Sequence, residues 1–149
     1  LPRFEGGGRG YETITPKLKK RIIKLLKNYD VYENNFHGKS LLPDHKFPEI
    51  RWDENVKKDL TNINDNEIHK KFQLMDNRRN LQKREICRSC SQLGKRGIIY
   101  GIKFFYEGDE NWNPNIPKKG VNAEKGCIGC GWYDTKKWRV ELNQVFLNY

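Results

Sequence analysis

At 149 residues the chain is long enough for one domain with at most a small appendage, and too short for two full-sized cores. Its hydrophobic fraction of 36% predicts a thin core that metal binding would have to supplement. Lys and Arg outnumber Asp and Glu by 29 to 19, a net charge of +10, which favours a polyanionic partner, nucleic acid first, over a merely solvated basic surface. Seven Tyr, seven Phe and four Trp argue against a disordered basic tail. No run approaches the roughly 18 apolar residues of a membrane span. No secretory n-region and h-region pattern opens the chain either, so the expectation is a soluble, cytoplasmic protein. The chain begins at Leu1 rather than Met, so a fragment of a longer protein is expected.

Residues 1–12 are Gly-rich and read as irregular. From Thr15 the pattern becomes that of an amphipathic helix. Thr15 is placed to cap it, Pro16 is its first residue, and Leu18, Ile22, Leu25 and Leu26 share one face. The other face carries Lys17, Lys19, Lys20, Arg21, Lys24 and Lys27, either to track phosphates or simply to be solvated. Turn formers fill residues 29–38, and a short strand is expected in "KSLLPDHKF". The polar stretch 53–71 predicts a short helix near Asn64 or Asp65, followed by a second short strand, "FQLM" (Phe72 to Met75). A helix is expected from Arg78 to Ile86, because "NRRNLQKREI" holds no Gly or Pro. "GIIYGIKFFYEG" predicts β structure, "NWNPNIPKKG" a Pro-interrupted loop. The last segment predicts an amphipathic helix with Trp138, Leu142 and Val145 or Phe146 facing inward.

All four cysteines fall in two C-x-x-C pairs, Cys87 with Cys90 and Cys127 with Cys130, 36 residues apart. Each pair can point two thiolates at one tetrahedral position, so the two together predict a closed, structural zinc site with four cysteine ligands. Two disulfides are the alternative, disfavoured by the absence of a secretory signal. The gap exceeds the usual zinc-ribbon spacing of about 15–20 residues, so the segment between the pairs must form its own excursion.

In order, the pieces are a strand ending in Asp44–His45, a second strand, a helix with Asn80 and Lys83, then C-x-x-C. "DHKFP" (Asp44 to Pro48) and "KFQLMDNRRNLQK" (Lys71 to Lys83) resemble the HNH, or ββα-metal, nuclease superfamily. Its pattern runs D-H-x-x-P, a spacer, then N-L-Q-L-L-C-x-x-C-N-x-x-K. The resemblance covers about 45 residues, from Leu41 to Cys90, and with the distal "GCIGCGWYD" it is similar to zinc-containing type II restriction endonucleases. Three departures stand out. The family's middle Asn falls on Lys71, its Cys pair flanking the helix Asn is replaced by Asp76 and Arg79, and the spacer is longer than usual.

The resemblance implies an α+β fold, a hairpin-plus-helix core stapled by zinc with flanking amphipathic helices. It implies a basic helical segment 1–40 and a nuclease domain 41–149. The activity implied is metal-dependent cleavage of double-stranded DNA to 5′-phosphate and 3′-hydroxyl ends, in a prokaryotic cell. His45 would be the general base. Asp44 and Asn80 would be oxygen ligands to catalytic Mg²⁺ or Mn²⁺. Arg79, Lys83 and Arg84 are candidate phosphate contacts, with solvated helix charge as the alternative for each, and Lys95 and Arg96 are candidates for phosphate or for guanine edges. One active site cuts one strand, so duplex cleavage calls for a homodimer or sequential nicking. The competing expectation is a non-catalytic, zinc-stabilised nucleic-acid-binding module in which Asp44–His45 is structural. His37 and His69 are expected at the surface, and Trp132 and Tyr133 are expected to pack rather than stack on bases.

Overall fold

The computed structural model describes residues 13–56 and 60–148, so the expectation for residues 1–12 lies outside the described residues. The fold is mixed α/β around one two-stranded antiparallel sheet. Helix α1 (Pro16–Leu25) starts as its sequence dictates, with the Thr15 hydroxyl accepting from Leu18 N at 3.1 Å and Pro16 at the first helical position. Its buried face is centred on Ile22, which shares a core with Leu41, Ile63, Ile68, Phe72 and Leu74. Lys17, Lys20, Lys24 and Lys27 are turned towards solvent or only partly covered on the other side.

Strand β1 (Leu41–His45) pairs with β2 (Phe72–Asp76), and the register sets Asp44 opposite Gln73 and His45 opposite Phe72. Pro43, which cannot donate to a ladder, is tolerated because a two-stranded sheet consists only of edges. Between the strands lie a 3₁₀ turn (Glu49–Arg51) and helix α2 (Asp65–Lys71). The latter opens with a reciprocal capping box between Asn64 and Glu67.

Helix α3 (Asn77–Leu93) runs well past the expected end at Ile86, so Cys87 and Cys90 ride on the helix itself. Nothing in "CRSCSQL" stops a helix. Termination waits for Gly94, whose φ of 71° suits the left-handed cap and whose N–H donates to Cys90 O at 2.9 Å.

The strands expected in "GIIYGIKFFYEG" do not form. Tyr100 and Gly101, at φ 55° and 70°, make a tight turn that leaves one isolated bridge, Ile99 with Ile102. Much of the remaining excursion is fixed by Arg96. Its guanidinium donates to the carbonyls of Glu107 (2.6 Å), Asp109 (2.8 Å), Ile128 (2.8 Å) and Gly126 (3.3 Å). A second 3₁₀ turn (Val121–Ala123) leads into the single-turn helix α4 (Glu124–Cys127). Helix α5 (Thr135–Leu147) is capped by Asp134 and buries Trp138, with Leu142 partly buried. Val145 and Phe146 are 43% and 65% exposed, so the expected inward stripe ends before them.

Among the described residues the apolar interior is divided into three small clusters. Two contain cysteines: one joins Phe47, Trp52, Trp112 and Ala123 to Cys90 and Cys127, the other joins Ile99, Trp132 and Trp138 to Cys130. Among the described residues no helix is long and apolar enough to cross a membrane.

Candidate active site and cysteine cavity

Asp44 is buried at the end of β1, and its Oδ2 accepts from Lys83 Nζ at 2.6 Å and from Gln73 Nε2 at 2.9 Å. Lys83 also donates to His45 O at 2.9 Å and Lys46 O at 3.1 Å. A buried ammonium with three acceptors is satisfied and held in place. This corrects the expectation that Lys83 contacts phosphate, since its side chain is only 3% exposed. Arg96 is corrected for the same reason, because its guanidinium is buried and spent on four backbone carbonyls.

His45 is half-buried, and its ring lies between Phe72 (centroids 4.8 Å apart) and Trp52 (5.0 Å, edge-on). Trp52 is itself fixed by donating from Nε1 to Phe47 O at 3.1 Å. Asp44 and His45 are successive residues of β1, each paired across the sheet, and Lys46 N continues the ladder by donating to Lys71 O at 2.9 Å.

Asn80, Lys83, Cys87 and Cys90 are spaced i, i+3, i+7 and i+10, which places them along one face of α3. Asn80 therefore stands one turn before Lys83. Of the other candidate cations, Arg84 is exposed, as is Lys95, which bonds Asn111 at 2.5 Å. Arg79 is partly occupied: it lies 4.1 Å over the Tyr32 ring and donates to Gln82 at 3.0 Å. His37 and His69 are exposed, as expected of surface histidines.

All four cysteines are free thiols and line one cavity of about 30 Å³, together with Lys83, Arg51, Trp112 and Trp132. The second pair forms a tight turn in which Cys130 N donates to Cys127 O at 3.1 Å. Gly129 makes this possible, with φ of 109° and a Cβ position only 2.1 Å from Glu107 O. Burial pushes the Cys127 thiol up to about 12, with Arg51 working against the shift and Cys130 and Cys90 adding to it. Burial raises Cys87 and Cys130 as well. Each thiolate would raise the others, so a cation placed among them is what would let them ionise. Four thiols around a cavity large enough for one small ion have the donor chemistry that zinc takes. Among the described residues, however, no three His, Cys, Asp or Glu side chains stand close enough to hold a metal ion as they are oriented.

Two residues to which the sequence reading gave no role prove central. Arg51 is buried, stacks 3.7 Å over Trp112 and donates to Cys90 Sγ at 3.1 Å. Gln73, which matches the Gln of the nuclease pattern, binds Asp44, and the register of the strand pair sets it opposite Asp44. Trp132 packs in the interior with Nε1 donating to Ile98 O at 2.8 Å, and the Tyr133 hydroxyl donates to Glu124 at 2.7 Å. The packing expectation for this pair therefore holds.

No protein-family model matches the chain, and no solved structure matches it. Over 72 residues it is 35% identical to the type II restriction enzyme NlaIII of Neisseria lactamica. That match covers 46% of this chain and 27% of the enzyme, so the chain spans about a quarter of the length of this curated relative. The similarity relates the chain, over the matched stretch, to a restriction nuclease.

Proposed function

We propose that this chain is a metal-dependent endonuclease of the HNH type, acting on double-stranded DNA as a type II restriction enzyme does. The supporting observation is the 2.6 Å contact of Lys83 with Asp44, which joins the Asp–His end of β1 to the Asn-x-x-Lys turn of α3. Strand, strand and helix follow one another in the order that such a site requires. The partial similarity to a restriction enzyme supports the same activity.

In this reading His45 takes a proton from the attacking water, and Phe72 and Trp52 restrict the orientation of its ring. Asp44 and Asn80 would hold Mg²⁺ or Mn²⁺. Asp44, whose Oδ2 is held by Lys83 and Gln73, would bring the charge of its carboxylate, and the Asn80 carboxamide would bring an uncharged oxygen. The bound cation would supply positive charge to the scissile phosphate and the leaving 3′ oxygen. The products are 5′-phosphate and 3′-hydroxyl ends. Cys87, Cys90, Cys127 and Cys130 would hold structural Zn²⁺, which would stabilise the nuclease domain, residues 41–149. A homodimer or two successive nicks would complete duplex cleavage.

A second reading, a zinc-stabilised DNA-binding module without catalysis, is favoured by one observation. Asp44 is buried and paired with a cation, which is how a structural carboxylate behaves. Plasmid DNA incubated with Mg²⁺, with and without EDTA, separates the two. Metal-dependent linear or nicked products with 5′-phosphate ends are expected from the nuclease. Salt-sensitive binding without cutting under any divalent ion is expected from the module.

A further inference from the structure

Gln73 is 3% exposed, and its one carboxamide serves four partners on three parts of the chain. Nε2 donates to Asp44 Oδ2 at 2.9 Å, to Tyr133 O at 3.1 Å and to Trp132 O at 3.3 Å. Oε1 accepts from Thr135 N at 3.1 Å, the first residue of α5. A flipped amide would set its oxygen against three acceptors, so the network fixes which way the group points. Trp132 and Tyr133 follow Cys130 by two and three residues. Gln73 therefore joins Asp44 to the segment behind the second cysteine pair.

Lys83 and Gln73 hold the same oxygen of Asp44 from different elements, α3 and β2. One donor leaves a carboxylate free to swing about its Cβ–Cγ bond, and two donors from separate elements stop the swing. The second donor is neutral, so it orients Asp44 without further cancelling the charge that would attract a cation.

We infer that Gln73 is a positioning residue: it aims the Asp44 carboxylate at a divalent cation and ties that aim to the segment behind Cys130. The inference rests on Asp44 being a cation ligand, as proposed above. Partners behind a metal ligand typically change metal affinity about 10–100-fold when lost.

The test is Mn²⁺ binding by calorimetry to the zinc-loaded full chain without DNA, with melting measured in parallel. Gln73→Met and the milder Gln73→Asn, which withdraws the amide from Asp44 by one methylene, should both weaken Mn²⁺ about tenfold or more. In cleavage assays the Mn²⁺ concentration at half-maximal rate should rise by a similar factor while the rate at saturating Mn²⁺ largely recovers. Arg21→Met removes a guanidinium on α1 that bonds Ile63 O at 2.9 Å and Asp65 at 2.7 Å and shares no hydrogen-bond partner with Gln73 or Asp44, so it should lower melting yet leave Mn²⁺ affinity within about twofold. Folded Gln73 variants that bind Mn²⁺ like wild type, where Asp44→Asn does not, would overturn the role of Gln73 alone. Unchanged Mn²⁺ binding in Asp44→Asn would overturn both this inference and the proposed ligand.

Discussion

Replacing Lys83 by Met keeps a long unbranched stem in the same space and removes only the ammonium. Three hydrogen bonds disappear, to Asp44 Oδ2, His45 O and Lys46 O. Asp44 is left as a buried carboxylate with Gln73 as its neutral donor. Breaking a buried pair from one side costs about 3–5 kcal/mol, because the charge left behind has lost both water and partner. For a chain of this size that corresponds to a fall in melting temperature of roughly 10–15 °C. Adding Asp44→Asn to Lys83→Met removes the stranded charge, so the double variant should melt above the Lys83→Met single variant, with a coupling of about 0.5–3 kcal/mol. Thermal and urea melts of all four proteins, zinc-loaded, make the measurement. A Lys83→Met variant that melts within about 2 °C of wild type yet binds DNA more weakly would refute the argument and return Lys83 to the phosphate contacts.

Gly129→Ala should lower melting by several degrees and reduce zinc content, because φ of 109° is strained for a side chain and the new Cβ meets the Glu107 carbonyl. Metal analysis should find about one Zn²⁺ per wild-type chain, and Cys127→Ser should lose it; a wild-type chain with no zinc would contradict the four-cysteine site. Exposed Arg84 and Lys95 remain available to phosphate, so Arg84→Gln or Lys95→Gln should each reduce the salt slope of DNA binding by about one unit without a melting change. Alkali should destabilise the fold through Tyr100, whose phenol burial pushes up to about 12 from an ordinary 10, against the pull of Arg139. The unfolded chain releases that proton first, so the stabilisation is intact below pH 10 and lost as pH rises towards 12. Tyr100→Phe should flatten that part of a melting-versus-pH curve.

Elements with chemical punctuation were legible from the sequence. Thr15 and Pro16 announce α1, and Asn64 with Glu67 announces α2. The end of α3 was not legible, because C-x-x-C suggests a knuckle while nothing before Gly94 can stop the helix. The aliphatic run at 98–106 has the composition of strands, but the turn at Tyr100–Gly101 leaves it a single bridge. In the candidate site, Asp44, Asn80 and Lys83 could be marked by motif and spacing. Charge alone could not say that Lys83 and Arg96 are buried, because their partners are backbone carbonyls and one carboxylate that only the folded chain supplies. Gln73 falls on the Gln of the family pattern but its role could not be read, and Arg51 carried no mark at all, because the partners that give both their roles are distant in sequence.

The most direct test of the nuclease claim is single-turnover plasmid cleavage in saturating Mg²⁺ by wild type and His45→Ala, with DNA affinity measured alongside. Loss of a general base predicts a fall of about 10²–10⁴-fold in rate with binding retained. Cleavage that continues at the wild-type rate in His45→Ala would contradict the assignment of His45 and, with it, the site built around β1 and α3.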